Sequence, residues 1–481
     1  MNHMNLTKAV DEDIFHIIAT STKELNQPSY VVGGYVRDFL LDRRKTKKDI
    51  DVVTIGSAIE LAKKVASKIN PLPYVSFFKN FGTAMLKYKG EEIQFVGARK
   101  ESYRKDSRKP FVESGSLEDD QNRRDFRINA MAISLNDDYG ILIDPFEGIK
   151  DLKEKILRTP LDPDITYSDD PLRMLRAIRF ANELDFCIEE KSFEAIKRNK
   201  DRIAIVSMER IMEEFNKILS CKKPSIGLNL LYKSGLLTWI LPELTSLEGI
   251  EEKEGHSHKD NFFHTLEVVD NISRKTDNIW LRWAALLHDI GKALTKKYTP
   301  HLGWSFHSHE FVGAKMVPKL FQRLRLPLGS SMKYVQKMIM NSSRPIALVG
   351  DKVSDSAIRR LLVEMGEFID DLMMLSKADI TTKNLIRQEL YNNNLNLVEK
   401  KLKMLQEKDF IRSWKSPITG EHIMNAFNLK PSREVGLIKA SVKEAVLQGS
   451  IENDFSSAYL FMLKIGKDLG LKPKRDKIIL Q

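Results

Sequence analysis

Cysteine is nearly absent: Cys187 and Cys221 are the two in 481 residues. That excludes a disulfide scaffold and any CxxC zinc or redox site, and it fits a reducing compartment. No stretch of about 18 apolar residues exists, so no helix is expected to cross a membrane. The longest apolar pieces, such as residues 236–241, are short and stop at Pro242. Residues 1–13 carry acidic side chains and no apolar core of signal-peptide length, so a cytoplasmic protein is expected. Internal repeats and low-complexity blocks are missing too. What is present suffices for several packed cores: 42% of residues are hydrophobic and 30% charged, which excludes a disordered chain. Lys and Arg number 77 against 66 Asp and Glu, a net charge of +11. Such a surplus favours a polyanionic partner, without separating nucleic acid from an anionic surface.

The strand signals gather in the first third. Tyr30-Val31-Val32 runs into Gly33-Gly34, and residues 50–55 alternate and are β-branched. Residues 84–88 and 92–96 read as two strands around a turn at Lys89-Gly90, and residues 57–69 are apolar at helical spacing. Residues 99–122 read as a long charged loop, a kind of segment that is usually functional or mobile. From about Asp170 nearly everything has a helical period. The expected fold class is α+β: a small α/β head at 1–150, a helical neck at 151–247, a histidine-rich helical domain at 248–380 and a Lys-rich helical region at 381–481. Lys-rich helices of that kind suit an RNA backbone or are simply a solvated face. Trp239, Trp280 and Trp283 read as core residues.

The first constellation lies in YVVGGYVRDFLLDRRKTKKDID, residues 30–51. A strand enters two glycines and a helix follows. Glycines let backbone N–H groups approach a phosphate, and a helix N-terminus favours anions. Asp49 and Asp51 are i and i+2 on an expected strand and share a face. Two carboxylates side by side suit Mg²⁺, a hard cation that prefers oxygen ligands. Either feature alone is common on structural surfaces; their order and spacing are specific.

GGYVRD followed by DID resembles the signature of the nucleotidyltransferases that add CCA to tRNA and of the related bacterial poly(A) polymerases. Arg123-Arg124-Asp125-Phe126-Arg127-Ile128-Asn129-Ala130 resembles a second motif of that family, and Asp169-Asp170-Pro171-Leu172-Arg173-Met174-Leu175-Arg176-Ala177 a third. The resemblance implies catalytic Asp49 and Asp51 holding Mg²⁺, and a nucleotide site made by Gly33, Gly34, Arg37, Asp38, Arg124, Asp125, Asn129, Asp169, Asp170, Arg173 and Arg176. It places Arg37 and Arg124 near the triphosphate, and Asp125 and Asn129 near ribose or as supports. Asp170 and Arg173 would read the base, with Asp169 nearby and Arg176 on the same helix face. Cytosine and adenine each offer an amino donor beside a ring-nitrogen acceptor, which a carboxylate and a guanidinium match; uracil and guanine reverse that pattern. Residues 99–122 fall where the family has a flexible loop. Arg127 stands where the family usually has Thr, and a third carboxylate position falls on Gln94, with Glu91 and Glu92 close by.

Seven of the ten histidines lie between 256 and 309. His264, His288-Asp289 and Asp379 resemble the pattern of the HD superfamily of metal-dependent phosphohydrolases, and His309 matches a further histidine of many such domains. The resemblance implies a divalent transition metal held by His264, His288, Asp289 and Asp379, with His309 as an additional group. A later histidine, expected before Arg344-Pro345, is Ser342, which argues for one metal or none. A domain kept as a spacer or RNA platform is the alternative. His256, His258, His301 and His307 are expected on exposed turns. The reading is addition of C, C and A to tRNA from CTP and ATP. Rivals are a poly(A) polymerase, a CC-only or A-only enzyme, an HD-type phosphohydrolase with a vestigial head, and a non-catalytic RNA-binding protein.

Overall fold

The computed structural model describes residues 4–43, 49–78, 82–104, 107–257, 259–348, 354–409 and 416–474. The basic stretch at 44–48, residues 105–106 of the expected loop, and His258 lie outside the described residues. The chain divides into two compact units, Met1–Thr245 and Ser246–Gln481.

In the first unit, α1 (Asp13–Leu25) leads into β1 (Ser29–Val32), α2 (Gly34–Leu40), β2 (Asp49–Thr54), α3 (Ala58–Ser67), β3 (Val75–Phe78), β4 (Thr83–Tyr88) and β5 (Glu91–Gly97). After β6 (Arg99–Arg104), β7 (Ser107–Ser114), α4 (Leu117–Asn122) and α5 (Arg127–Ala130), the strands β8 (Ala132–Ser134) and β9 (Leu142–Ile143) close the seven-stranded sheet, in the order β3-β4-β5-β2-β1-β8-β9. Strands β2 and β5 are parallel, and the other neighbours in this sheet are antiparallel. Burial explains the strands: Val31, Val32, Val52, Val53, Ile93 and Phe95 are buried, and α3 covers the sheet with Leu61, Ala62 and Val65. Ser57 caps α3 by accepting from the Glu60 amide at 3.3 Å, an N-terminal signal visible in the sequence.

The first unit continues with α6 (Gly148–Glu154), β10 (Ile156–Leu157), α7 (Pro163–Asp169), α8 (Leu172–Leu184), β11 (Cys187–Ile188), α9 (Glu190–Asn199), α10 (Met208–Leu219), α11 (Pro224–Lys233), α12 (Leu236–Ile240) and α13 (Pro242–Thr245). Two expectations are corrected in this unit. Residues 99–122 are not a loop: β6 and β7 pair antiparallel and α4 follows. This ribbon stands apart from the main sheet and leaves Phe111 and Val112 about half exposed, so it never shows the alternation of a core-facing strand. Trp239 is 47% exposed and is no core residue, whereas Trp283 of the second unit is fully buried.

The second unit comprises β12 (Glu252–Lys253), β13 (His256–Ser257), α14 (Asn261–Ser273), α15 (Ile279–Leu287), α16 (Lys292–Thr295), β14 (Lys297–Thr299), β15 (Gly303–Ser305), α17 (His309–Arg323), α18 (Ser330–Asn341), α19 (Arg344–Ala347), α20 (Asp355–Met365), α21 (Ile369–Ala378) and α22 (Leu385–Asp409). It ends with α23 (Gly420–Phe427), α24 (Arg433–Gln448) and α25 (Phe455–Asp468), packed around Ile423, Phe427, Ile438, Val442 and Met462. The short pairs β10–β11, β12–β13 and β14–β15 interrupt the expected all-helical body.

Candidate active site and metal centre

The head's cleft forms where β1 ends. Val32 pairs with Asp51, so the chain enters Gly33 directly beside that carboxylate. Gly33 has φ +76°, and a Cβ there would stand 3.2 Å from Arg124 Nη1 and 3.4 Å from Asp51 Oδ2. The left-handed backbone favours glycine here, and a side chain would crowd the tip of Arg124. Asp49 and Asp51 line one cleft of about 730 Å³, together with Gly33, Gly34, Arg37, Asp38, Arg124, Asp125, Asn129 and Arg176. Burial pushes the Asp51 carboxyl above its ordinary value; Arg124 opposes that shift and Asp49 adds to it. Two adjacent carboxylates, one of them desolvated, fit a divalent cation.

The arginines are held by carboxylates rather than left loose. Asp125 is buried and accepts from Arg176 Nε at 2.8 Å, from Asn129 Nδ2 at 2.9 Å and from the Phe126 amide at 2.9 Å. Burial would raise its carboxyl, but Arg176 and Asn129 outweigh that and hold it down at about 2. Asn129 Oδ1 in turn accepts from Arg37 Nη1 at 2.8 Å, and Arg37 Nε donates to Asp38 at 2.9 Å. Arg37, Asn129, Asp125 and Arg176 thus form one chain of bonds along the cleft.

A second cavity of about 330 Å³ shares Asp51, Arg124, Asp125 and Arg176 with the first, and adds Asp170, Arg173 and Gln94. Asp170 precedes α8 in extended conformation, and its Oδ1 accepts from the Leu172 amide at 3.2 Å. Asp170 stands just ahead of α8 with its carbonyl accepting from the Arg173 amide at 2.9 Å, and Asp170, Arg173 and Arg176 all reach the same cavity. Arg173 is buried and donates to the Arg123 carbonyl at 2.6 Å. Asp169 lies at the end of α7, close enough to Arg173 for that guanidinium to oppose the rise that burial gives its carboxyl, and it is not among the residues lining either cavity. Strand register shows what faces the two aspartates. Gln94 lies opposite Asp51 and Glu92 opposite Asp49, but Glu92 pairs with Lys87 at 3.0 Å and lines neither cavity. Arg127 donates to the Thr159 carbonyl at 3.2 Å and likewise lines neither cavity.

Several residues of this region escape sequence reasoning. Asp120 is fully buried, bonds Arg123, and accepts from Arg124 Nε at 2.9 Å. Its spacing of three and four from those arginines, which follow α4 directly, was the available signal. Lys8, Arg179 and Phe180 also line the larger cleft. The guanidinium carbons of Arg37, Arg176 and Arg179 lie 4.9, 5.3 and 4.1 Å from the Phe180 ring centre, a cation–π cluster.

The second unit brings its expected cluster together from α14, the end of α15, α17 and the end of α21. His264 Nε2 is 2.8 Å from Asp379 Oδ1, and His288 Nε2 is 3.4 Å from both Asp289 Oδ2 and Asp379 Oδ1. His309 Nε2 is 3.4 Å from Asp289 Oδ1. Gly291 allows this last approach: a Cβ there would fall 2.1 Å from the His309 carbonyl oxygen. His288 donates Nδ1–H to the Ala285 carbonyl at 2.8 Å, which turns Nε2 toward the carboxylates. That Nε2 is buried with no hydrogen-bond partner. One ligand atom each from His264, His288 and Asp379 lies within 4.8 Å of the others. This donor set fits a divalent transition metal. Burial tends to lower the His288 pKa, but Asp289 and Asp379 override it and raise it to about 10. Ser342 donates to the Ile339 carbonyl at 3.0 Å and supplies no imidazole. His256, His301 and His307 are exposed, His256 on β13 and His301 in the turn between β14 and β15.

A mixed sheet with paired carboxylates at a Gly-Gly turn, in a chain whose second unit is a helical His–Asp centre, defines a nucleotidyltransferase head with an HD domain. The Poly A polymerase head domain family matches residues 29–158. The family described as a probable RNA and SrmB-binding site of polymerase A matches 185–248, and the HD domain family matches 261–406, past the expected boundary at 380. A Multifunctional CCA protein of Aliivibrio salmonicida is 35% identical over 309 residues, 62% of this chain and 71% of that protein. An A-adding tRNA nucleotidyltransferase of Aquifex aeolicus is 32% identical over 374 residues, 72% of this chain but 44% of that longer protein. The Bacillus stearothermophilus CCA-adding enzyme, solved in complex with CTP, shares the fold: TM-score 0.68 at 22% identity, over 95% of this chain and 99% of that one. The chain belongs to the tRNA nucleotidyltransferase family built on the poly(A) polymerase head.

Proposed function

We propose that this chain adds C, C and A to the 3′ end of tRNA from CTP and ATP, releasing pyrophosphate. The observation that carries the reading is the shared wall of the two head cavities. Asp51 and Arg124 face both, and Asp170 and Arg173 line the second. A carboxylate for the reaction and a carboxylate–guanidinium pair for the base thus serve one bound nucleotide. Asp49 and Asp51 would hold Mg²⁺, which lowers the pKa of the attacking 3′-hydroxyl and neutralises charge on the phosphates. Gly33 and Gly34 bring backbone close to the triphosphate, and Arg37 and Arg124 supply positive charge. Asp125, Asn129 and Arg176 act as the supports that fix Arg37. Asp170 accepts from the base's amino group and Arg173 donates to its ring nitrogen, selecting C and A over U and G. Gln94 at the third position leaves the two aspartates as the carboxylates of the centre. In domain terms the head is residues 1–150, the neck 151–247, the HD domain 248–380, and 381–481 a tRNA-contacting region.

A second reading concerns range, because relatives of similar identity are called both A-adding enzymes and multifunctional CCA proteins. Product length separates the readings. With tRNA lacking its CCA end, Mg²⁺ and both nucleotides, three additions and a stop are expected. A stop after C-C, or A added only to tRNA already ending in C-C, narrows the enzyme, and a long ladder with ATP alone makes it a poly(A) polymerase. Asp49→Ala and Asp51→Ala are each expected to abolish extension while tRNA binding persists. For the second unit, the cluster at His264, His288 and Asp379 supports a metal-dependent phosphoester centre with a single divalent ion, in which Asp289 is a fourth ligand and His309 supports Asp289.

A further inference from the structure

We infer that the segment ahead of α1, residues 4–10, completes the nucleotide site, and that Lys8 on it binds the β- and γ-phosphates and thus the leaving pyrophosphate. The inference rests on the nucleotidyl-transfer reading of the head and adds a residue to it. The segment lies ahead of residues 29–158, where the head family matches, and carries none of the motifs read from the sequence. Charge pairing singles out Lys8. Five arginines line the larger cleft, and each already has a carboxylate. Arg37 has Asp38 at 2.8 Å, Arg43 has Glu183 at 3.6 Å, Arg124 has Asp120 at 2.8 Å, Arg176 has Asp125 at 2.7 Å and Arg179 has Glu214 at 3.0 Å. Lys8 is the one lysine of that lining, it is exposed, and its ammonium has no acceptor among the described residues.

A triphosphate carries more negative charge than one Mg²⁺ neutralises, and an ammonium with no partner of its own is free to meet the excess. Its place in the cleft agrees. Lys8 lines the larger cleft and not the second cavity, which holds Asp170 and Arg173. A nucleotide with its base in that cavity and its α-phosphate at Asp51 extends its outer phosphates into the larger cleft, on whose wall Lys8 stands. The backbone that carries Lys8 is held on both sides. Before it, the Leu6 amide donates to the Gly140 carbonyl at 2.7 Å and the Leu142 amide to the Met4 carbonyl at 3.0 Å, so the segment runs beside β9 at the sheet edge. After it, the Ala9 carbonyl accepts from the Tyr35 hydroxyl at 2.6 Å, and the Val10 carbonyl accepts from the Tyr139 hydroxyl. Ala9 and Val10 are buried. Tyr35 follows Gly33-Gly34 in the first turn of α2, so the lysine's backbone is tied to the turn that faces the nucleotide. With that backbone already fixed, binding orders little beyond the lysine side chain itself.

The test is calorimetric titration of the full-length protein in Mg²⁺ with inorganic tripolyphosphate, an unreactive stand-in for the triphosphate. Lys8→Met is expected to weaken binding about tenfold, the worth of one charge-assisted hydrogen bond, and Lys8→Arg to keep most of it. Tyr35→Phe removes the bond to Ala9 and should weaken binding several-fold when Lys8 is present, yet add nothing beside Lys8→Met. In extension assays kcat/KM of Lys8→Met should fall about tenfold for CTP and ATP alike, with tRNA affinity unchanged. Unchanged tripolyphosphate affinity in Lys8→Met overturns the inference. So does a loss of tRNA affinity with kcat/KM for the nucleotides intact, which would give the lysine to the RNA backbone. A Tyr35→Phe loss that persists in full beside Lys8→Met would mean that Tyr35 does not act through Lys8. Extension by the unmodified protein, with Lys8→Met equally active, defeats the inference and leaves the transferase reading standing. Lys8-dependent tripolyphosphate binding in a protein that extends no tRNA defeats the transferase reading and leaves the phosphate site standing.

Discussion

Asp125 shows at the scale of one residue how the head keeps its arginines in place. Its two oxygens receive Arg176, Asn129 and the Phe126 amide, and the residue is buried. Arg176 and Asn129 hold its pKa at about 2, against the burial that would raise it. The sign follows from linkage. A depressed carboxyl contributes stability that is present above the unfolded value near 3.8 and is lost as pH falls toward about 2. Asp125→Ala strands a largely buried guanidinium, which costs about 3–5 kcal/mol for a fully buried pair. Arg176's side chain keeps 33% exposure, so about 2–4 kcal/mol is expected. Urea unfolding at pH 7 and at pH 2.5 checks both points: the variant should be clearly weaker at pH 7, and the difference should shrink at pH 2.5. An equal deficit at both pH values would mean that the ion pair is not what the substitution removes. The sequence already pointed to Gly33, Asp49, Asp51, Arg124, Asp170 and Arg173 as neighbours, because their order along the chain carries the family pattern. It did not point to Asp120 or Phe180. Asp120 carried only a local charge spacing, three and four residues before Arg123 and Arg124, and Phe180 gathers Arg37 from a distant element beside Arg176 and Arg179 of its own helix, a contact that only the fold reveals.

At the scale of elements the β6–β7 ribbon departs most from expectation. Many of its residues are charged and its Phe111 and Val112 are half exposed, so composition reads as loop while the backbone pairs as a hairpin. The strands of the main sheet were legible because one or both of their faces enter a core, and α3 because its apolar residues recur at helical spacing. The ribbon has a consequence for base choice. Glu101 on β6 pairs with Arg99 at 2.7 Å and with Arg123 at 3.3 Å, and the Arg123 carbonyl holds Arg173. The ribbon therefore reaches the proposed base-reading arginine in two steps. Glu101→Gln keeps the shape and removes the charge that orders Arg123. The expected outcome is relaxed selection, with misincorporation of UTP or GTP rising several-fold, while Mg²⁺ dependence is unchanged. Single-nucleotide incorporation assays with each of the four triphosphates read this directly. Unaltered selectivity would confine Glu101 to ribbon stability.

Over the whole molecule, two units carry two different donor sets for the proposed ions, carboxylates in the head and imidazoles with carboxylates in the HD unit. Ligand chemistry makes each centre respond to its own ion, since hard Mg²⁺ prefers oxygen and imidazole suits later divalent metals. A metal that binds only the folded form of one unit stabilises that unit by RT ln(1 + [L]/Kd), about 2.7 kcal/mol at a hundredfold excess over Kd. Calorimetric unfolding of the full chain should therefore move one transition upward when Ni²⁺ or Mn²⁺ is added. The same transition should stay still in His288→Ala, which removes the buried Nε2 at the centre of the cluster. His288→Ala also deletes the imidazole that partners Asp289 and Asp379, so its own metal-free transition should fall. The head's transition should be unaffected by that substitution, because Asp49 and Asp51 belong to the other unit. A metal-induced shift that survives in His288→Ala would place the ion elsewhere and leave the cluster a purely structural network of ion pairs.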